Sequence, residues 1–392
     1  MDDRGMDLWR WLLSPEGAAL RERAAAADPA EVSDVARLRK QFAADQVRAA
    51  IALAEARRKA AAKFGTPAAL AADPEGVEQA SSSAVARHKA ARFARIVSGG
   101  RVIDLCSGIG GDAMALAEAG MRPVAIDRDP LRAWMSRANA HCPAAAADAG
   151  RVNVAGHFFH IDPARRTEGG RVWRLADYQP GPDVLAKLSG AARGGAVKLS
   201  PGIDLGELEE AGLTGEVEFI SEAGRLVQAV LWTGELAEVE RRATRLPGTG
   251  ESPAELAGEP GEPPIIGELA EHVYTVDPAA ERAELLGELC ERTGLEAVHP
   301  RLGLLSGGKV VDSPWLTRFE LVERLPWRVK RVKRWLAAHG AGIVEVKTRG
   351  GAVDPDAAQA ELRGSGEKPF TVFVLRWGRQ KVALIARRPE RG

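Results

Sequence analysis

Along residues 6 to 63, apolar side chains recur at helical spacing among Ala, Arg and Glu, with breaks near Pro15 and at Asp28-Pro29. The chain therefore opens on a helical region. Its alanine richness gives high helix propensity but small side chains, so it is expected to pack onto the next domain rather than form a large core alone. A less regular stretch, Gly65 to Asp73, precedes another helical run from Ser81 to Val97. From Arg101 the period changes. Short apolar strands alternate with helices: Val102 to Leu105, a glycine turn, helix Ala113 to Ala119, strand Val124 to Ile126, helix Pro130 to Ala140. That alternation predicts parallel βαβ units in an open α/β sheet. Ala144 to Ala147 reads as a short buried third strand, and Phe158 to Ile161 and Ala196 to Leu199 as further ones. Val217 to Ile220 and Leu226 to Trp232 are close enough to form an antiparallel hairpin that closes the sheet.

Residues 246 to 266 carry five Pro and four Gly among Glu and Ser, the composition of a linker or extended loop. Beyond it the pattern gives an α/β stretch to about residue 318 and a final α+β unit. In that unit Phe319 to Leu325, Ile343 to Lys347, Thr371 to Trp377 and Lys381 to Arg387 read as strands, and Val329 to His339 and Asp354 to Arg363 as helices. The expected organisation is a helical region 1–96, a sheet domain 97–245, a linker 246–266, a connecting unit 267–318 and a terminal domain 319–392.

A length of 392 residues accommodates several such units, and 45% hydrophobic with 28% charged residues is the composition of a globular protein. No stretch approaches the roughly 18 apolar residues of a membrane span, and Met1-Asp2-Asp3-Arg4 lacks the layout of a secretory signal, so the chain reads as cytoplasmic. Three cysteines without metal-ligand spacing suggest neither a disulfide framework nor a metal site. The balance of 54 basic and 54 acidic residues hides an asymmetry: residues 201 to 300 hold 22 acidic and 6 basic side chains, residues 301 to 392 hold 9 acidic and 19 basic. A basic terminal domain is what a nucleic-acid-facing module requires.

The chemistry concentrates at strand ends. Asp104-Leu105-Cys106-Ser107-Gly108-Ile109-Gly110-Gly111-Asp112 follows a strand and opens a helix, so its glycines let the backbone approach a ligand closely. The spacing Gly108-x-Gly110-x-x-Ala113, with Asp127 some 20 residues on, also satisfies the dinucleotide fingerprint. Asp104 separates the two readings: its carboxylate repels a pyrophosphate and attracts the ammonium group of S-adenosylmethionine, which is therefore favoured over NAD. Asp104 could alternatively cap the strand end, and Asp112 is either a helix N-cap or a ligand contact. Asp127 is placed to hold ribose hydroxyls. Asp148 either accepts from an adenine amino group or is an ordinary loop carboxylate.

Phe158-Phe159-His160-Ile161-Asp162-Pro163-Ala164-Arg165-Arg166 repeats the strand-then-turn arrangement. Asp162 is either the acceptor-orienting group at the crevice mouth or a structural turn residue. Arg165 and Arg166 are phosphate clamps or surface charges, and Lys198 is a crevice wall or a surface lysine. His157 and His160 are expected to pack or cap, and Cys106 to be a small packing residue. Arg324, Arg328, Lys330, Arg331, Lys333 and Arg334 cluster on and before one helix with Trp327 and Trp335 interleaved, as phosphate contacts with stacking would need; the alternative is a solvated face with both tryptophans in the core.

Taken together, these residues resemble the class I S-adenosylmethionine-dependent methyltransferases, and more narrowly the bacterial ones with a C-terminal THUMP-like domain. The likeness is carried by Glu78-Gln79-Ala80-Ser81-Ser82, by the loop from Asp104 to Asp112, by Ile126-Asp127-Arg128-Asp129-Pro130 and by Ile161-Asp162-Pro163-Ala164-Arg165-Arg166. Phe319 to Arg388, with Leu325-Pro326-Trp327 and Trp377-Gly378-Arg379, is similar to the THUMP-like unit. The resemblance implies a Rossmann-like seven-stranded sheet, S-adenosyl-L-methionine as cofactor bound by Asp104, Gly108, Gly110, Gly111, Asp127 and Asp148, and Asp162 as the catalytic group. THUMP domains bind RNA, which suggests RNA as partner by analogy, and the residues read above as its candidate contacts are Arg165, Lys198, Arg331 and Arg334. The chain departs from the family at Cys106, where Gly is common, and at Asp-Pro-Ala-Arg in place of Asp-Pro-Pro-Tyr, which removes an aromatic that stacks on a target base. A non-catalytic RNA-binding module that keeps the cofactor fold, and a small-molecule methyltransferase whose terminal unit dimerises, are the competing readings.

Overall fold

Ser14-Pro15 stops the first helix, as the sequence requires. A computed structural model describes residues 3–28, 31–64, 70–165, 174–248, 252–300, 302–349, 351–377 and 380–389. It opens with α1 (Asp3–Leu13), a 3-10 turn at Pro15–Gly17, α2 (Ala18–Ala26), α3 (Val32–Arg39), α4 (Ala44–Phe64) and α5 (Pro74–Gln79). The expected break at Pro29 and positions 65–69 of the irregular stretch lie outside the described residues. Leu12, Leu20 and Leu53 from these helices share one core with Ile109, Leu131 and Met135, so the alanine-rich region does pack onto the sheet domain. The next helix, α6 (Ser83–Val97), is started by Ser82, whose hydroxyl accepts from the Val85 backbone N–H at 3.3 Å.

The α/β alternation is present as β1 (Arg101–Leu105), α7 (Gly111–Glu118), β2 (Arg122–Asp127), α8 (Pro130–Ala140), β3 (Ala144–Ala146) and β4 (Phe158–Ile161). A small ribbon, β5 (Ala164–Arg165) against β6 (Tyr178–Gln179), is followed by α9 (Pro182–Ala191), β7 (Gly194–Leu199) and α10 (Leu205–Glu210). β1 pairs in parallel with β2 on one side and β4 on the other, β2 with β3, and β4 with β7. The chain thus moves outward from β1 in one direction and then returns to its other side, which creates a switch point at the carboxyl end of β1. β3 is an edge strand whose alanines are largely exposed, where the sequence suggested a buried one. Alanine alone cannot distinguish the two cases, because it has too little side chain to report burial.

The expected hairpin is β8 (Glu216–Glu222) and β9 (Arg225–Gly234), turning through Ala223 and Gly224 at φ 50° and 74°. It does not close the sheet. β10 (Arg241–Leu246) pairs with β8 in parallel and β11 (Ala254–Gly258) pairs with β10, so the sheet has nine strands and not seven. The added strands fall partly inside the stretch whose Pro and Gly content suggested a linker.

Contacts divide the chain into two compact units, Met1–Glu216 with Gln228–Glu238, and Val217–Val227 with Val239–Gly392. The second unit continues with β12 (His272–Val276), α11 (Pro278–Arg282), α12 (Leu286–Thr293), β13 (Glu296–Ala297), β14 (Leu304–Gly307), β15 (Leu316–Pro326), α13 (Val329–Ala338), β16 (Ala341–Arg349), α14 (Pro355–Leu362), β17 (Lys368–Trp377) and β18 (Gln380–Arg387). Its seven-stranded sheet runs β13-β14-β12-β15-β18-β17-β16, so the stretch 267–318 contributes three strands to the same sheet as the terminal domain. Val332 and Leu336 of α13 and Leu362 of α14 pack on Val346 and Val372, while Phe319 and Phe373 meet edge to face at 5.0 Å in a second cluster. Among the described residues no helix is long and apolar enough to cross a membrane.

Candidate active site

Register places the strand-end carboxylates side by side. β1 and β2 align Leu105 with Ile126, and β1 and β4 align Leu105 with Ile161, so the turns carrying Cys106, Asp127 and Asp162 leave the sheet at one level. Between them runs the glycine loop. Cys106, Gly108 and Gly110 all have positive φ, 56°, 56° and 86°. The Gly usual here in the family that the loop resembles is therefore a conformational preference, and a cysteine held there costs about 1–2 kcal/mol of backbone strain.

The three glycines differ in what they require. A Cβ on Gly110 would lie 2.9 Å from the Ser136 Cα, so neither φ nor space admits a side chain. A Cβ on Gly108 would meet nothing within 4 Å: its α-carbon faces open space in front of the loop. At Gly111 the nearest atom is the Ala80 Cβ at 3.5 Å, an ordinary contact. Ser136 of α8 pins the loop from behind, its Oγ 2.9 Å from the Ser107 Oγ and donating to the Gly108 carbonyl at 3.1 Å. Asp127 fixes the loop from the side, accepting from the Gly108 N–H and the Asp129 N–H, each at 2.9 Å. Burial pushes the Asp127 carboxyl up, and these two donors pull it back. Asp148 follows the edge strand, is exposed, and accepts from the Gly150 N–H at 2.8 Å.

Asp104 is almost fully buried, 1% exposed. Its Oδ1 lies 2.7 Å from His160 Nδ1, and its Oδ2 is buried with no hydrogen-bond partner among the described residues. His160 Nε2 is in turn 2.9 Å from Lys89 Nζ, and Lys89 is 2.6 Å from Asp112. An ammonium can only donate, so Nε2 accepts and the Nδ1 proton is given to Asp104. Burial pushes Asp104 up against the pull of His160. Burial also raises Asp112, but the charges of Lys89 and Lys198 outweigh it and leave Asp112 below the ordinary carboxylate range. His160, expected only to pack or cap, is thus the centre of a buried charge network. Asp112 neither caps α7, whose N-cap is Gly110, nor stands free. The signal that could have found Lys89 is its place in the stripe Val85, Ala86, Lys89, Ala90, Phe93, the buried face of α6.

Asp162 and Lys198 are brought together: Nζ is 2.6 Å from Oδ2, with the lysine also 3.5 Å from the Gln79 carbonyl. The segment Glu78 to Ser82 therefore meets the site through Gln79 at Lys198, Ala80 at Gly111 and Ser81 at Asp112. Beside this turn Tyr178 is buried and its hydroxyl accepts from the Ser200 N–H at 2.7 Å, so it offers no stacking face. Arg166 and the side chain of Arg165 lie outside the described residues. Arg331 and Arg334 lie on α13 in the second unit, both exposed. Trp327 and Trp335 of that unit are partly buried against its core.

Burial and the carboxylates of Asp127, Asp162, Asp104 and Asp148 push the Cys106 thiol well above its ordinary value. Cys106 is expected to alkylate with iodoacetamide at pH 8 at least about tenfold more slowly than free cysteine, followed by mass spectrometry. A rate equal to free cysteine would show a thiolate that this acidic surround does not permit.

A family model described as THUMP domain-like matches residues 316–388, and one described as a domain of unknown function matches residues 5–60. Two curated relatives, from Mycobacterium tuberculosis strains CDC 1551 and H37Rv, are each 37% identical over 316 residues, 78% of this chain and 84% of theirs. Both are described as uncharacterized S-adenosylmethionine-dependent methyltransferases. The crystal structure of a putative methyltransferase from Porphyromonas gingivalis W83 has the same fold, with a TM-score of 0.74 over 100% of both chains at 18% identity. A glycine loop at the switch point, a carboxylate closing the second strand and this degree of identity lead to one conclusion: the chain belongs to the S-adenosylmethionine-dependent methyltransferases, with S-adenosylmethionine as methyl donor and a THUMP-like domain at its C-terminal end.

Proposed function

We propose that the enzyme methylates RNA, that its first unit holds the methyl donor at the glycine loop, and that Asp162 orients the acceptor. The donor fits the loop on two observations: the open space before Gly108 and the unsatisfied Oδ2 of Asp104, a buried acceptor suited to an ammonium donor. Gly110 and Gly111 set the backbone of this cradle, Asp127 would take the ribose hydroxyls and Asp148 the adenine amino group. The donor, once bound, supplies an electrophilic methyl carbon. The protein's part is placement of the acceptor, with Asp162 accepting its hydrogen bond and Lys198 directing that carboxylate. With no aromatic face offered by Tyr178, a base held by stacking is the poorer substrate.

One observation carries RNA as the substrate. Arg328, Lys330, Arg331, Lys333 and Arg334 are exposed, and no carboxylate among the described residues pairs with any of them. Lys347 and Arg388 of the same unit are by contrast both paired to Glu345, at 2.9 and 3.1 Å. Arg331 and Arg334, three apart, share one helix face, opposite the buried Val332 and Leu336. Such a face neutralises phosphates and releases counterions. The test is to supply labelled S-adenosylmethionine and fractionated cell extract and find the label in RNA. The Arg331→Gln/Arg334→Gln protein should bind single-stranded RNA with a salt slope smaller by about 1.4, from about 0.7 per lost phosphate contact. Label confined to protein or small molecules, or an unchanged slope, would remove RNA from the reading.

A further inference from the structure

The N-terminal helices and α8 line an open cavity of about 660 Å³ away from the glycine loop. Arg10, Leu13, Arg21, Glu22, Arg57 and Trp134 contribute to its wall. Arg10 is ion-paired with Asp7 at 3.5 Å, which leaves Arg21 and Arg57 beside the Glu22 carboxylate in the wall. Arg21 and Arg57 are half-buried and each is fixed by one edge: Arg21 Nη1 donates to the Leu12 carbonyl and to the Ser14 carbonyl at 2.6 Å, and Arg57 Nε donates to the Leu70 carbonyl at 3.1 Å. No carboxylate among the described residues ion-pairs with either. Burial and the neighbouring Arg21 charge together depress the Arg57 guanidinium below its ordinary value, so the two cations share one field with neither of them ion-paired. Half-buried charges left unpaired are costly unless an anion completes them.

The lining also includes the apolar Leu13, Ala18, Ala25, Ala71 and Ala138, and Trp134. Trp134 lies on α8 about 200° around the helix from Ser136, the residue that pins the glycine loop, so the cavity and the loop lie on opposite faces of α8. Guanidinium forks match phosphate oxygens, an indole face matches a planar ring, and the volume lies within the range of small-ligand pockets. We infer that this cavity binds a phosphate monoester carrying a nucleobase, either a free nucleotide or the phosphorylated end of a polynucleotide. The site gives the matched N-terminal domain a recognition role of its own, independent of which atom receives the methyl group.

The test uses the full-length protein saturated with S-adenosylhomocysteine, so that the crevice at the glycine loop is filled. Calorimetric titration with uridine and guanosine 5′-monophosphates, with uridine, with inorganic phosphate and with a 5′-phosphorylated oligouridylate reads the site. A monophosphate is expected to bind, uridine to give no heat, and Arg57→Gln to weaken binding by about tenfold or more with the melting temperature retained. Arg10→Gln, at an exposed position, is expected to weaken it too and stands in if Arg57→Gln unfolds. A tighter oligouridylate, lost in the same variants, assigns a polynucleotide end; equal affinity assigns a free nucleotide; both support the site. No heat with either monophosphate at millimolar concentration, inorganic phosphate binding as tightly as a nucleotide, or unchanged binding in the arginine variants overturns it.

Discussion

Asp162→Asn is expected to lower turnover by about two to four orders of magnitude while leaving S-adenosylhomocysteine affinity within about twofold of wild type. The asparagine side chain has nearly the same shape, so the β4 turn and the hydrogen bond from the Asp162 N–H to the Leu105 carbonyl at 3.3 Å should persist. What is lost is the anion. Lys198 at 2.6 Å then faces an amide in place of a carboxylate, and the acceptor loses the group proposed to orient it and take its proton. Because the carboxylates proposed to hold the donor, Asp104 and Asp127, belong to other strands, the defect should appear in kcat and not in donor affinity. Lys198→Met gives the complementary result: Asp162 loses the cation that directs it, so kcat falls while donor affinity is retained. Full turnover in Asp162→Asn, with the melting temperature unchanged, would end the assignment of Asp162.

The elements that carry the candidate site were legible because each announces itself by local pattern. The strand of buried apolar residues before Cys106, the glycines that follow it and the Asp-Pro turns at Asp129 and Asp162 need no tertiary information to be recognised. β10 and β11 were not legible for the opposite reason. Arg241, Arg242, Ala243, Thr244, Arg245 and Leu246 bury Ala243, Thr244 and Leu246 but carry few large apolar side chains, and Ala254–Gly258 commits only Leu256 to the core beside the Pro- and Gly-rich run. Composition outvoted pairing. The tryptophans beside the basic cluster were ambiguous because interleaving is equally consistent with stacking on a ligand and packing on a core. Trp335 resolves it, stacked on His339 at 3.7 Å and set edge to face on Phe370 at 5.8 Å. The network around His160 was hidden because it depends on which helix covers β4: only contact between α6 and that strand turns an apolar stripe containing one lysine into the neutralising partner of Asp112.

That network supports the second large effect. Lys89→Met should destabilise the unit that holds the glycine loop by about 3–5 kcal/mol at pH 7, because it leaves a buried carboxylate without its cation. Lys89 is 2% exposed and Asp112 11% in their side chains, so water cannot replace the lost ammonium. With two compact units a single global unfolding energy is not defined, so the transition to follow is the one that S-adenosylhomocysteine raises. The pH dependence gives the sign. The Asp112 pKa in the folded protein lies below its unfolded value, so its contribution is complete above about pH 4 and is lost only as the pH falls through that lower value. In the variant, burial acts on Asp112 with the largest opposing charge removed, its pKa rises, and acidification lets it take up a proton and recover part of the loss. The deficit should therefore be larger at pH 7 than at pH 5. Lys89→Met/Asp112→Asn, which removes both charges, should regain most of the stability, as expected when the penalty belongs to the unpaired charge and not to lost packing. A deficit below about 1 kcal/mol, or one equally large at both pH values and in the double variant, would mean that Lys89 fills space and that the buried charges are held by another route.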